Sequence, residues 1–580
     1  ADRFGEYMTP KDSDNVTEEI LVLDLSGKPD GIFNKSIVGV VLAHPVTGEK
    51  KCQRFTGIPF AQPPIGDLRW EKPVPLEAPN TLEFDEDCLR LNIWRPVGEP
   101  PMGGWPVFVY YHGGFLQFGD ANYENDLDFT ELIYSHGAKC IFVAPMYRLS
   151  VLGFLASADL NHANFGLWDQ RMALEWTYKN ISAFGGNSES IGIGGYSAGS
   201  YSAFLQLQFD IQQPADQQII RRVALQSNCP ITAPISWGSN QVHKKYEQLL
   251  QSCGIPASET PEKRLRHLRG LNMKQLLSAL ATLTDPVFRP VLDESFISSS
   301  MMLDIYNGTM ARAIAKRHIS ILFGYTQREE AVYGAIAPNT EVQVKNTLRQ
   351  YFPERVISAA WPLYVRGVGS PAVDWPMVFG DMFADLQVRV GGIGLAKELV
   401  SGGVPTSLLY RYEVQWRAQA IDAFLPPEMG ATHGSDAQLV WFATDKLLKH
   451  DEKPRKFTAV HGVFASCPAA PALLIVCATP AVHPGTTSGA VGGKRFTAAV
   501  VVVTIDFNIQ TLVVCDPKGR INTAVVAVEK SQPVALANCF NTVAYNCVPH
   551  DATAPAIADI ELRFMRRNIP VRVPCTTDRA

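Results

Sequence analysis

The chain has 580 residues, a formal net charge of −5, 46% hydrophobic residues and 19% charged ones. That balance suits a large apolar core under a solvated surface, and the lack of any basic stripe excludes nucleic acid as a partner. No apolar run reaches about 18 residues, which excludes a membrane span. The first residue is Ala1 rather than methionine, which reads as a chain whose signal peptide has been removed.

The first predicted element that bears on chemistry is Trp105–Tyr111, an apolar and aromatic run that reads as a buried strand of a parallel sheet. It runs directly into His112-Gly113-Gly114-Phe115. Consecutive glycines after a strand let bare backbone approach a ligand and aim N–H groups at it. Further on, the short apolar run Ile191–Gly194 leads into Gly195-Tyr196-Ser197-Ala198-Gly199 and then the small-residue segment Ser200–Leu205. Strand, sharp turn and helix in that order lift a serine onto a strained corner where a neighbouring Cβ would clash. A serine hydroxyl is a poor nucleophile at neutral pH, so such a corner needs a base, an orienting acid and an oxyanion hole. Gly113, Gly114 and the N–H of Ala198 are the candidates for that hole.

Another predicted strand, Ile319–Gly324, is followed by the adjacent carboxylates Glu329 and Glu330, of which only one can point inward. Position past a strand end suits a carboxylate that orients a histidine, and the residues alone leave the choice open. Among twelve histidines, His433 lies in the polar, glycine-bearing loop Ala431–Asp436. A base must sit on such a loop to swing its ring over the serine. His243 and His318 fall in charged helical segments and read as surface residues; His112 belongs to the strand end, where its backbone matters more than its ring.

Phe55–Pro64, Glu86–Asn92, Tyr147–Phe154, Gly166–Leu174 and Phe184–Asn187 add an ordered series of segments around these elements. With them the chain resembles the type B carboxylesterases, a family that includes carboxylesterases, cholinesterases and fungal lipases. The resemblance is dense from about residue 40 to 235 and thinner to about 450. It implies an α/β-hydrolase fold, with a mostly parallel central sheet flanked by helices, and carboxylic-ester hydrolysis through an acyl-enzyme. It selects Glu329 over Glu330 as the acid and places the base at His433, with Ser197 as nucleophile. It implies a small-molecule ester substrate and neither metal nor organic cofactor. It leaves the oligomeric state open.

Departures from the family narrow the expectation. The segment between Trp70 and Cys88 is too short for the disulfide-bounded loop that carries the choline-stacking tryptophan of cholinesterases or the lid of related lipases. Tyr196 stands where cholinesterases have an acidic residue, a form shared with fungal members. Short-chain or small-alcohol esters are therefore expected, with longer acyl chains or a natural-product acetate as alternatives, and a non-catalytic binding homologue as the alternative of another class.

The hydrolase unit is expected over residues 1–455. Residues 456–580 lack the family's terminal pattern and turn rich in Ala, Val, Pro and Cys, with a candidate strand at Asn508–Val514; they read as a divergent terminus, an added domain or a shifted reading frame. Eleven cysteines leave at least one thiol unpaired. The resemblance implies a bridge from Cys88 to an upstream cysteine, and Cys52 is the only candidate there. Sequons at Asn15, Asn34, Asn180 and Asn307 are compatible with a secreted glycoprotein.

Overall fold

Apolar residues fill both parities of the central strands, so those segments must be covered on both faces. In the computed structural model they are. It describes residues 17–24, 36–44, 46–75, 86–121, 128–134, 137–229, 233–365, 373–415, 417, 421–422 and 425–436, with five short strands between 459 and 526. The strands of the main sheet are β1 (Thr17–Asp24), β2 (Ser36–Ala43), β3 (Lys50–Pro59), β4 (Arg90–Arg95), β5 (Trp105–Tyr111), β6 (Ile141–Pro145), β7 (Gly186–Tyr196), β8 (Ile220–Gln226), β9 (Ser320–Thr326) and β10 (Leu409–Val414). Their order is β1-β2-β3-β4-β6-β5-β7-β8-β9-β10. Pairing is antiparallel from β1 to β4 and between β4 and β6, then parallel from β6 across to β10.

Side-chain alternation divides the interior into two layers. Val107, Val109 and Tyr111 of β5 join the larger core with Ile141, Val143, Ile191 and Ile193. Phe108 and Tyr110 point the other way, into a smaller aromatic core with Trp94, Phe129 and Phe142. The strand expected at Trp105–Tyr111 has the bounds found, and those expected at Ile191–Gly194 and Ile319–Gly324 fall on β7 and β9.

The two layers also decide the expected Cys52–Cys88 bridge, which is not formed: both are free thiols. Cys52 faces the smaller core, where its Sγ lies 3.4 Å from Thr130 Oγ1, whereas Cys88 packs against the larger core across the sheet. A disulfide needs its two Cβ atoms within about 4.5 Å, which opposite faces of a sheet do not allow. Burial pushes both thiols up to about 12.

Beyond residue 436, Ala459–Val460 pairs with Ile475–Val476, and Thr504–Asp506, Ile509–Cys515 and Ile521–Val526 form a three-stranded antiparallel ladder. The candidate strand at Asn508–Val514 coincides with the middle one.

A buried ion pair ties the turn after β6 to the helix Phe165–Asn180. Asp169 accepts from the Arg148 backbone N–H at 3.0 Å, from Nε at 2.8 Å and from Nη2 at 2.7 Å, with both side chains almost fully buried. Removing one partner leaves the other charge without water or a counter-charge. Asp169→Ala is therefore expected to cost about 3–5 kcal/mol, read as a lower midpoint in urea unfolding.

Candidate active site

Ser197 follows β7 with φ 57° and ψ −120° and opens the helix Ala198–Gln212. This conformation is strained for a residue with a side chain, and close packing enforces it. A Cβ on Gly199 would lie 1.9 Å from the Tyr111 carbonyl oxygen, and one on Gly195 would lie 2.4 Å from the same atom. The helix start thus rests directly on the end of β5, and the Ser197 N–H donates to the Gln226 carbonyl at the end of β8 at 2.8 Å. Only glycine fits on either side.

Three strand ends converge on this corner. Glu329 begins a short helix just after β9, and His433 lies in the loop that follows β10. The two loops are tied together: the Arg328 N–H donates to the Ala431 carbonyl at 2.9 Å, and the Val332 N–H to Thr432 Oγ1 at 3.2 Å. His433 Nε2 is 2.9 Å from Ser197 Oγ, and His433 Nδ1 is 2.5 Å from Glu329 Oε2. A carboxylate can only accept, so the proton belongs on Nδ1 and the Nε2 lone pair faces the serine hydroxyl.

Glu329 is fully buried. Burial opposes its ionisation, but His433, the Thr326 N–H and the Ser227 hydroxyl, each 2.8 Å away for the latter two, outweigh it and hold the carboxyl below its usual range. Glu330 turns away, to Arg389 and Arg328 at 2.6 Å each. The adjacent pair is thereby divided. One carboxylate meets the histidine and the other closes an arginine cluster.

The tyrosines Tyr196 and Tyr333 flank the imidazole, with ring centroids 4.9 and 5.0 Å from it. Tyr333 Oη lies 3.2 Å from both ring nitrogens. A point equidistant from the two cannot lie along either lone pair, so this contact packs the ring without taking Nε2 from the serine. Burial raises both phenols well above their ordinary value, which keeps them protonated.

The glycine segment after β5 lies against the serine. A Cβ on Gly113 would be 3.0 Å from the Tyr196 carbonyl oxygen and 3.4 Å from Ser197 Cβ. The carbonyl of Gly114 accepts from the N–H groups of Gln117 and Phe118. Among the described residues, the N–H groups of Gly113, Gly114 and Ala198 donate to no protein group. They are available to a ligand oxygen. His112 is buried, stacks on Tyr147 at 4.3 Å, and accepts the Tyr147 hydroxyl through its backbone carbonyl. Burial lowers its imidazole to about 4, so the ring stays neutral. His243 and His318 are exposed.

Several neighbours escaped the sequence reading. Ser227 and Tyr333 carry no motif; the only signal for Ser227 is a polar residue at the end of a buried strand. Asp436 was within the loop that singled out His433 but has a chemistry of its own. It is buried, its Oδ1 has no hydrogen-bond partner, and Tyr412 Oη lies 3.5 Å from Oδ2. Burial, reinforced by the charge of Glu329, pushes its carboxyl from 3.8 up to about 7. Among the described residues, no group of three or more His, Cys, Asp or Glu is arranged to hold a metal, and no helix is long and apolar enough to cross a membrane.

A serine on a strained strand-to-helix turn, with acid and histidine on later strand ends of a mostly parallel sheet, defines an α/β-hydrolase. The model of the carboxylesterase family matches residues 36–83 and 76–453. An uncharacterised esterase/lipase of Schizosaccharomyces pombe is 36% identical over 452 residues, covering 70% of this chain and 83% of that protein. A carboxylic ester hydrolase of Gibberella moniliformis is 32% identical over 71% of this chain and 83% of its own length. An acetylcholinesterase of Gallus gallus is 32% identical over a shorter stretch, 42% of this chain and 36% of that one. The chain belongs to the carboxylesterase family, and its reaction is the hydrolysis of carboxylic esters.

The buried Asp436 sets a pH dependence. Between about pH 4 and 7 the folded protein holds a proton that the unfolded chain has released, so stability falls as pH rises through that window. Asp436→Asn removes the titration. Its melting temperature relative to wild type is expected to rise from pH 5 to pH 8; a constant offset across that range would contradict the assignment.

Proposed function

We propose that Ser197 is the nucleophile, His433 the general base and acid, and Glu329 the residue that orients and charge-stabilises the imidazole. The observation that carries this reading is the continuous relay from Ser197 Oγ through both His433 nitrogens to Glu329. His433 takes the Ser197 proton as Oγ attacks the ester carbonyl. The N–H groups of Gly113, Gly114 and Ala198 hold the oxyanion. His433 then protonates the departing alcohol, and water releases the acyl group by the reverse sequence. The complete relay weighs against a non-catalytic binding homologue.

Short acyl chains are the proposed preference. The brevity of the Trp70–Cys88 segment supports it, since neither a lid nor a choline-stacking loop fits there; residues 76–85 lie outside the described ones. Trp70 itself is in the core, donating from its indole N–H to the Val151 carbonyl at 2.9 Å, so it is no substitute for a choline-stacking ring. Lipase action on long chains and cleavage of a natural-product acetate are the other outcomes of the same assay.

The catalytic unit is proposed to end near residue 455, supported by the end of the family match at 453. Secretion and glycosylation are proposed with it. Asn307 is exposed, which supports it as an acceptor, whereas the Asn180 amide already donates to the Trp176 carbonyl. Asn15 and Asn34 lie outside the described residues.

Ser197→Ala is expected to lower kcat on 4-nitrophenyl butyrate about 10⁴-fold or more, and Glu329→Gln by roughly 10³–10⁴, as in other enzymes with such triads. Titration with a serine-directed organophosphate should label Ser197 stoichiometrically. Across an ester series, turnover should be fastest from acetate to butyrate and show no jump at the micelle threshold. Preference for laurate or palmitate, with such a jump, would assign the lipase instead.

A further inference from the structure

The cleft beside Ser197 is walled largely by aromatic and aliphatic side chains, including Phe115, Phe352 and Phe383. Arg289 lines the same cleft. Its Nε and Nη2 are buried and, among the described residues, have no hydrogen-bond partner. Its guanidinium carbon sits 3.7 Å from the centroid of the Tyr351 ring. Such stacking occupies the face of the guanidinium and leaves its N–H edge free.

The nearby carboxylate Asp285 is occupied by Lys245 at 2.6 Å. Lys245 is a like charge, and its ammonium is lowered first by burial and further by Arg289 itself. Guanidinium N–H groups that are buried without a hydrogen-bond partner are costly unless something pairs with them.

The backbone that carries Arg289 is clamped on both sides. Gln117 donates from Nε2 to the Phe288 carbonyl at 2.6 Å and accepts from the Phe288 N–H at 3.3 Å. Asn164 donates to the Val291 carbonyl at 2.8 Å and accepts from the Val291 N–H at 2.9 Å. Gln117 belongs to the same turn as Gly114, so the arginine is fixed relative to the glycine segment that flanks Ser197. An exposed, mobile arginine would need none of this.

We propose that Arg289 binds a free carboxylate on the substrate, so that the site favours monoesters of dicarboxylic acids over neutral esters of the same length. The proposal rests on the reading of Ser197 as the nucleophile of this cleft. A planar guanidinium matches a carboxylate through paired N–H donors, and an apolar wall strengthens that pair by excluding water. Hydrolysis of such a monoester releases the diacid and the alcohol through the same acyl-enzyme steps.

The test compares 4-nitrophenyl monoesters of glutarate and adipate with 4-nitrophenyl valerate and hexanoate, each corrected for spontaneous cleavage without enzyme. The readout is the ratio of kcat/KM on acidic and neutral esters of equal length. Arg289→Met is expected to lower that ratio about ten-fold or more for at least one pair, the scale of one lost charge-assisted hydrogen bond, chiefly through KM. Arg289→Lys should fall between. A ratio unmoved by Arg289→Met, even with both rates reduced together, would assign Arg289 a structural role and overturn the proposal. If Arg289→Met does not fold, Arg289→Gln and Arg289→Lys carry the same comparison.

Should no ester turn over, the nucleophile reading fails separately. Thermal stabilisation of the full chain by monomethyl glutarate then decides the arginine: a shift lost in Arg289→Gln supports it, and no shift overturns it.

Discussion

The contact of the Ser197 turn with the end of β5 is the constraint on which the rest of the site depends. Tyr111 O occupies the space where side chains on residues 195 and 199 would stand. That approach forces Ser197 into positive φ and lifts its Oγ above the strand ends. It also brings the Gly113 segment, which leaves β5 at the same point, against Ser197 Cβ. Position of the proposed nucleophile and of the proposed oxyanion donors is therefore one packing event. The two layers beneath, built from alternating residues of β5, β6 and β7, hold it rigid.

Electrostatics then sorts three carboxylates in a small volume. Glu329, Glu330 and Asp436 are all buried, yet each has different company. Glu329 has an imidazole and two neutral donors, enough to keep it ionised against burial. Glu330 has two arginines. For Asp436, burial and the charge of Glu329 outweigh His433, a backbone N–H and a distant tyrosine hydroxyl, so it keeps its proton up to about pH 7. Were Asp436 ionised as readily, two negative charges would face one histidine. The relay is clean because burial outweighs the donors that the second acid has.

Much of this was legible in the sequence because close backbone approaches demand glycine and leave a written record. Gly195, Gly199, Gly113 and Gly114 are such records, and the strands between them are long, apolar and bounded. The choice of Glu329 over Glu330 was not legible from the residues alone; it depends on Arg389, 59 residues beyond Glu330, capturing that carboxylate. Ser227 and Tyr333 act through geometry that only the assembled strand ends create. The Cys52–Cys88 expectation failed for a related reason. Which face of a strand a residue takes depends on the register of β3, where Cys52 pairs with Leu42 of the same smaller core.

The same logic separates reaction from selectivity. The proposed triad sits on the ends of parallel strands, where position is fixed by the sheet and by tight turns. The cleft wall comes from segments far apart in the chain, whose side chains leave no spacing to read. Arg289 is the exception in physical terms rather than in sequence: it lies in an irregular stretch, yet two side-chain clamps give it the rigidity of a strand. Two buried N–H groups without a hydrogen-bond partner are unfavourable in the empty cleft, and on the proposed reading that cost is recovered when an anion arrives. A site arranged this way binds a neutral ester with those N–H groups still unmatched. Discrimination then comes from the empty state being strained, as much as from the filled one being tight.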